Sequence, residues 1–153
     1  MDETLLNKMV VRAKAATYVA GGTKVMSCRR GSHDLSWSDG EWQYLDSYFG
    51  GTDFLGQETL WRGSVPVWAM NYYGYIRRPE LIDAARAGET IKAALSAMYL
   101  DGRFLGGWSW EGRHGHYIDE SKGDATHFRG REVIIVNGAE AYALDYFGGL
   151  IKD

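Results

Sequence analysis

The sequence predicts an α+β fold, a single domain of residues 1–153 that contains two repeats of a helix followed by antiparallel strands. Three observations predict it. Residues 54–74 align with residues 128–148 without a gap, helical and alternating patterns follow one another twice in the same order, and glycine-containing turns separate aromatic-rich strands. The repeats extend over about residues 4–76 and 79–150, and we expect a pseudo-twofold axis to relate them.

The two aligned segments carry most of the evidence for this duplication. Chance similarity is the alternative, but the matching order of helix, glycine pair, strands and turn in both halves favours duplication. Most of the 21 aligned positions keep their chemical class, and six are identical: Phe54 with Phe128, Gly56 with Gly130, Glu58 with Glu132, Ala69 with Ala143, Tyr72 with Tyr146, and Gly74 with Gly148.

The first half begins with a predicted amphipathic helix over residues 4–17, because apolar residues recur there at helical spacing up to the pair Gly21-Gly22. Strands follow, from Thr23 to Gly74. The segment EWQYLDSYF alternates, so Trp42, Tyr44, Asp46 and Tyr48 should share one face of a strand. Asp39-Gly40 and Gly63-Ser64 predict hairpin turns.

The second half repeats the scheme. Pro79 suits the first position of a second helix, Gly88 interrupts the pattern, and Ile91 to Met98 continue an apolar stripe. Strands resume after another glycine pair, and Asn137-Gly138 is the strongest hairpin turn in the chain.

Composition excludes several classes of function. The net charge is −3, and basic residues are not concentrated in either half, which argues against binding to duplex nucleic acid. Charged residues interrupt every apolar stretch, so we expect neither a membrane span nor a secretory signal. The lone Cys28 cannot form an internal disulfide, which favours a cytoplasmic location.

Two segments have no counterpart in the second half, and they are the first candidates for a site: residues 27–35 and 46–54. Arg29 and Arg30 could present guanidinium groups to a carboxylate or phosphate, while Ser32 and His33 could add hydrogen bonds. Two arginines in a surface turn are the alternative. A hydrolytic triad of Ser32, His33 and Asp34 is disfavoured, because adjacent side chains on a strand point apart.

Aromatic residues concentrate in the first half, and those near polar groups could stack on a flat, polar ring. The alternative is that most of them form the core. The site residues predicted in addition to the loop residues above are Asp46, Tyr48, Phe49, Glu58, Trp61, Trp68, Asn71 and Tyr72.

The acids Asp46 and Glu58 have equivalents at Asp119 and Glu132. A desolvated pair could act in general acid/base catalysis. The favoured interpretation is structural, with each acid accepting hydrogen bonds from the turn of its own half. His114 and His116 would share one face of a strand, a weak indication of a metal site, and we expect no metal and no cofactor.

Three motifs carry a family resemblance: RRGSHDL at residues 29–35, DSYFGGTDFLGQE at 46–58 and PVWAMNYYG at 66–74. They resemble a bacterial and phage family of unknown function, which includes stand-alone proteins and domains that follow an Xre-type helix-turn-helix. The resemblance runs from about Ala15 to the C-terminal YFGG. It implies a sensor for a small molecule.

The leading hypothesis is a non-enzymatic sensor or sequestering domain that binds a small polar, nucleotide-like ligand between residues 27–35 and 46–58. In a phage, such a domain could sequester a nucleotide signal of host defence. One alternative is a hydrolase or lyase that uses Asp46 and Glu58 as its acid/base pair. Another is a protein-interaction module or homo-oligomer joined through exposed aromatic residues or edge strands.

Overall fold

The computed structural model describes residues 1–152. Two helices and nine strands form its regular structure, with one short π-helical turn directly after the first helix. The elements in chain order are α1 (Glu3–Lys14), the π-helical turn (Ala15–Val19), β1 (Thr23–Val25), β2 (His33–Asp39), β3 (Trp42–Gly50), β4 (Phe54–Arg62), β5 (Val65–Ile76), α2 (Ala84–Leu100), β6 (Trp108–Gly112), β7 (Gly115–Asp124), β8 (His127–Val136) and β9 (Ala139–Leu150).

Both helices begin at an aspartate whose side chain accepts backbone N–H groups of the first turn. The predicted helix over residues 4–17 is confirmed, since α1 and the π-helical turn cover it. The prediction that Pro79 opens the second helix is wrong, because Asp83 caps α2 four residues later. Gly88 lies within α2 and does not break it, since the apolar stripe around it is buried against the sheet.

All nine strands belong to one open antiparallel sheet, in the order β1-β2-β3-β4-β5-β9-β8-β7-β6. The α+β class with an antiparallel sheet is therefore confirmed. The turns Gly63-Ser64 and Asn137-Gly138 lie where the sequence placed them, and both Asn137 and Gly138 have positive φ. The other predicted turn lies one residue later, since Asp39 pairs with Trp42.

The two halves of the sheet meet at the pairing of β5 with β9. Tyr72 pairs there directly with Tyr146, its equivalent in the other aligned segment. The two halves also share an irregularity in strand pairing. The register of β4 with β5 shifts after Leu60, and the register of β8 with β9 shifts after Ile134, which is the aligned position. The central pairing thus joins the five strands of the first half, β1 to β5, to the four strands of the second, β6 to β9.

The helices cover one face of the sheet and enclose a single hydrophobic core with it. On β3 the predicted alternation is confirmed: Trp42, Tyr44 and Asp46 are buried on this inner face, whereas Gln43 lies on the outer face and is exposed. Within residues 1–152, no helix is long and apolar enough to cross a membrane.

Candidate functional site

A cavity of about 290 Å³ lies between the inner face of the sheet and the helices. Its lining includes exposed residues of the β3–β4 turn, Gly50 to Thr52, so the cavity opens there. One side of α2 forms its roof, with Ala84, Gly88, Ile91 and Leu95 at helical spacing. Its volume is close to the lower limit of about 300 Å³ for small-molecule sites.

The floor of the cavity contains four buried carboxylates, two from each half of the sheet. Asp46 on β3 lies opposite Glu58 on β4, and Asp119 on β7 lies opposite Glu132 on β8. Opposed residues in an antiparallel pair point to the same face, with Cβ atoms about 5 Å apart. The strand register therefore places each aspartate beside its glutamate under the helices.

Lys14 is the only ammonium group among the described residues that line this cavity. It extends from the last turn of α1, and its Nζ donates to both carboxylate oxygens of Glu58, at 2.6 and 2.8 Å. Both side chains are about nine-tenths buried, so the pair is shielded from solvent. One ammonium thus compensates one of the four carboxylates directly.

Two tyrosines at the centre of the sheet hold the two aspartates. The Tyr72 hydroxyl donates to Asp46 at 2.6 Å, and the Tyr146 hydroxyl donates to Asp119 at 2.7 Å. Each ring crosses the intervening strand at a glycine, Gly56 in the first half and its equivalent in the second, where an added Cβ would overlap the ring. The repeated Gly and Tyr of the aligned segments therefore position an acid in each half.

The fourth acid, Glu132, accepts hydrogen bonds from the hydroxyls of Tyr117 and Tyr142. None of the four acids accepts a hydrogen bond from a turn of the described chain. The favoured interpretation from the sequence, that these acids stabilise the turns of their own halves, is wrong. Their partners are side chains of the cavity, brought there by the register of the sheet and the packing of α1.

Burial raises the pKa of three of these carboxyls. Desolvation is the main cause, and it raises the pKa of Asp46 to about 7, with the negative charge of Glu58 adding to the effect. Desolvation also raises the pKa of Asp119 to about 7, although the Tyr146 hydroxyl opposes it. The pKa of Glu132 is raised by desolvation too. Two of the four carboxyls, Asp46 and Asp119, therefore have a pKa close to neutral pH.

Five of the predicted site residues line this cavity: His33, Asp46, Tyr48, Glu58 and Tyr72. The His33 ring packs against Tyr48 with 5.2 Å between centroids, near the opening. These residues come together because they alternate onto the inner face of four neighbouring strands, β2 to β5.

Arg29, Ser32 and Phe49 are predicted site residues that do not line the cavity. The Arg29 guanidinium donates to Ser47, whose position on β3 points to the outer face, and it stacks on Phe49 at 4.5 Å. Ser32 is buried in the turn, where its hydroxyl donates to the Arg29 carbonyl oxygen. Ser47 also donates to Asp34, and these bonds fix the 27–35 loop against the outer face.

The remaining predicted site residues lie apart from the cavity as well. Trp68 is fully buried, and its indole N–H donates to the Ala125 carbonyl oxygen, which is a core role. Asn71 accepts a hydrogen bond from Gln57 on the outer face. Trp61 follows the register shift in β4, and Arg30 is exposed in its loop.

The cavity also contains residues that the sequence did not assign to a site: Lys14, Tyr18, Tyr99, Tyr117, Asp119, Glu132 and Tyr142. The sequence contained an indication that Lys14 is buried. It follows Val10 by four residues and so lies on the apolar stripe of α1. The π-helical turn directly after it presents Tyr18 to the cavity, and such turns often occur at functional sites.

In chemical terms the cavity offers carboxyl and phenol groups beside one ammonium and an apolar roof. Within the part of the chain that the structure describes, no group of three or more histidine, cysteine or acidic residues has the geometry of a metal site. His114 lies in the β6–β7 turn, outside the strand that carries His116, so the two imidazoles do not share a strand face. His114 forms a hydrogen bond with Glu89 through Nε2, and His116 forms one with Ser109 through Nε2.

Comparison with known proteins gives one match. The model of a family described as a domain of unknown function, DUF5680, matches residues 46–151. This segment includes all four acids of the cavity, together with α2, and excludes α1 with its lysine. No curated protein and no solved structure matches the chain.

Proposed function

Since the chain belongs to the DUF5680 family, a domain of unknown function, we propose a function from the cavity alone: this domain binds a small molecule without transforming it. The observation that carries the proposal is the cavity itself. It has the volume of a small-molecule site, polar groups fixed on its floor, an apolar roof and an opening at the β3–β4 turn.

The rigidity of the polar groups favours binding. Each of the four acids is already held by a phenol or an ammonium, and the supporting side chains are buried in the core, apart from Tyr72, which is half-buried against it. A ligand would therefore meet side chains whose conformational entropy has already been lost, which reduces the free-energy cost of binding. A sensing or sequestering domain needs this property and needs no catalytic group.

A nucleotide-like ligand, the prediction from the sequence, is one candidate for the molecule that binds. Three tyrosines of the lining, Tyr18, Tyr48 and Tyr72, offer faces on which a planar ring can stack. The carboxylates on the floor would repel a phosphate that entered the cavity. We therefore expect any phosphate of the ligand to stay outside the opening, near His33. A sensor of a host-defence nucleotide would bind in this orientation.

Gly88 provides a direct test, because it lies on the roof and an added Cβ there would meet no atom within 4 Å. We propose calorimetry with nucleosides, nucleotides, cyclic nucleotides, sugars and amines against Gly88→Leu and its matched control Gly88→Ala. The leucine side chain should fill the roof and abolish binding, whereas alanine should leave binding intact and stabilise α2 by about 0.5–1 kcal/mol. Equal binding by both variants, or no binding to the wild type, would overturn the proposal.

A second candidate function is catalysis by Asp46 and Glu58. The observation that favours it is the pKa of Asp46, raised by burial to about 7, next to an acid paired with Lys14. Mass spectrometry of each bound ligand before and after incubation separates the two functions. An altered ligand supports catalysis, and an unchanged ligand at equilibrium supports binding alone.

The two halves, residues 4–76 and 79–150, also support an evolutionary proposal, that they arose by internal duplication. Equivalent tyrosines pair at the centre of the sheet, and equivalent acids lie opposite each other in each half. The helices break this symmetry, since Lys14 reaches only one of the two glutamates directly. Duplication would explain how one cavity acquired two sets of acids while only one set gained a cation.

A further inference from the structure

The charges that line the cavity are not balanced. Four acids, each able to carry a negative charge, face one ammonium, and that ammonium donates to a single one of them, Glu58. The cations elsewhere near the site, such as Arg29, lie against the outer face of the sheet. An uncompensated carboxylate in a buried site is costly, and a cation that enters the site removes this cost.

One carboxylate oxygen in the cavity is free. Glu58 and Glu132 accept with both oxygens, and the two oxygens of Asp119 share the single hydroxyl proton of Tyr146. Asp46 accepts from Tyr72 through Oδ1, whereas its Oδ2 accepts from no side chain or backbone group of residues 1–152. The residue is 3% exposed, so this oxygen has no access to solvent other than through the cavity.

A second polar group in the cavity is also without a partner. The hydroxyl of Tyr99, on α2, makes no hydrogen bond within residues 1–152, although the side chain lines the cavity and is 7% exposed. Its oxygen is open to the cavity, because the only side-chain polar atom of residues 1–152 that is both fully enclosed and without a partner is Trp108 Nε1. The phenol oxygen of Tyr99 and the carboxylate oxygen of Asp46 can both accept hydrogen bonds. A ligand that donates hydrogen bonds would therefore fit this cavity.

We propose, on the basis of the binding function above, that the ligand is an organic cation whose protonated amine pairs with Asp46 Oδ2 inside the cavity. The amine supplies the missing positive charge and several N–H donors, and a charge-assisted hydrogen bond is about twice as strong as a neutral one. The apolar body of the ligand packs against Phe54, Ile91 and Leu95, which line the same space. Anionic groups are repelled by the same carboxylates.

The experiment compares matched probes that differ only in charge. We propose calorimetry at pH 8.0, above the pKa of about 7 for Asp46, with tyramine, neutral 4-ethylphenol and anionic 4-hydroxyphenylacetate. Butylamine and neutral butanol are a second charged and neutral pair, and they are small enough to enter if an aromatic ring is too large for the cavity. Each amine remains protonated, since its pKa is about 10. We expect an amine to bind more tightly than its neutral partner and the acid not to bind.

Variants locate the interaction. Asp46→Asn preserves shape and should weaken the amine at least about tenfold while leaving the neutral partner unchanged, because it removes only a charge-assisted bond. Tyr99→Phe should weaken it about two- to tenfold. Asp145→Asn removes an exposed carboxylate outside the cavity and should change neither affinity. Circular dichroism and the unfolding midpoint of each variant show that the fold is retained.

The outcomes separate the two proposals. If neutral compounds bind as tightly as amines, or if Asp46→Asn binds amines normally, the cation inference is wrong while the binding function stands. If only nucleosides or anions of the wider panel bind, the cation inference is again wrong. If no compound binds to the wild type, the binding function itself fails.

Discussion

The buried aspartates predict an unusual dependence of stability on pH. Burial raises the pKa of Asp46 and of Asp119 from 3.8 to about 7 in the folded protein, whereas the unfolded chain exposes both to water. Between pH 4 and pH 7 the folded state therefore binds more protons than the unfolded state. Under this condition the free energy of unfolding falls as pH rises.

The sign follows from the direction of the shift. A carboxyl with a raised pKa contributes its full stabilisation below pH 4 and loses it as pH rises through 7, the reverse of a carboxylate in a salt bridge. Each shift is roughly three pKa units, which corresponds to at most about 4 kcal/mol per group at about 1.4 kcal/mol per unit. Most proteins of this size have a total stability of about 5–15 kcal/mol, so the effect is measurable.

The assay is urea unfolding followed by tryptophan fluorescence between pH 5.0 and 8.5, in the wild type and in Asp46→Asn. The amide is neutral at every pH and can still accept from Tyr72. We expect the stability of the variant relative to the wild type to grow by up to about 3 kcal/mol between pH 5 and pH 8, the part of the titration that lies in this window. Asp145→Asn, at an exposed position, is the control and should not change the slope.

Two results would refute this reasoning. The first is a wild type whose stability is constant or rises between pH 5 and pH 8. The second is an Asp46→Asn variant with the same pH slope as the wild type, since the variant lacks the titrating group.

Three further predictions concern single contacts. Lys14→Met leaves Glu58 buried without its cation and should cost about 3–5 kcal/mol at pH 8, and Glu58→Gln in the same chain should recover most of this loss in urea titrations. Gly56→Ala places a Cβ inside the tyrosine ring that crosses it and should lower the free energy of unfolding by at least about 1–3 kcal/mol, in contrast to Gly88→Ala, whose Cβ meets open space. Arg29→Ala removes hydrogen bonds on the outer face, so it should lower the unfolding midpoint slightly and leave calorimetric affinity for any cavity ligand unchanged; a loss of affinity would return this residue to the site.

Much of the fold could be predicted from local pattern. The alternation in β3 identified the residues that share the inner face, and the equivalences between the aligned segments identified Asp46 with Asp119 and Glu58 with Glu132. Turn chemistry located the hairpins to within one residue. These features depend on neighbours along the chain, which is why sequence periodicity reports them.

The site was harder to predict because periodicity does not say which face of a strand the helices cover. Phe49 and Asn71 alternate onto the outer face, although they lie beside cavity residues in sequence. Trp68 has an aromatic ring of the kind that stacks on ligands, but it is fully buried in the core. Arg29 was expected to face a ligand, yet its guanidinium is bonded to the neighbouring strand.

The sequence by itself determined the α+β class, the order of helices and strands, and the faces that the acids and tyrosines share. Only the tertiary structure decided that Lys14 meets Glu58 and that the acids of both halves enclose one cavity. The physical reason is the range of the interactions. Periodicity and turn propensity act within a few residues, whereas the pairing of β5 with β9 and the packing of α1 join residues more than 40 positions apart.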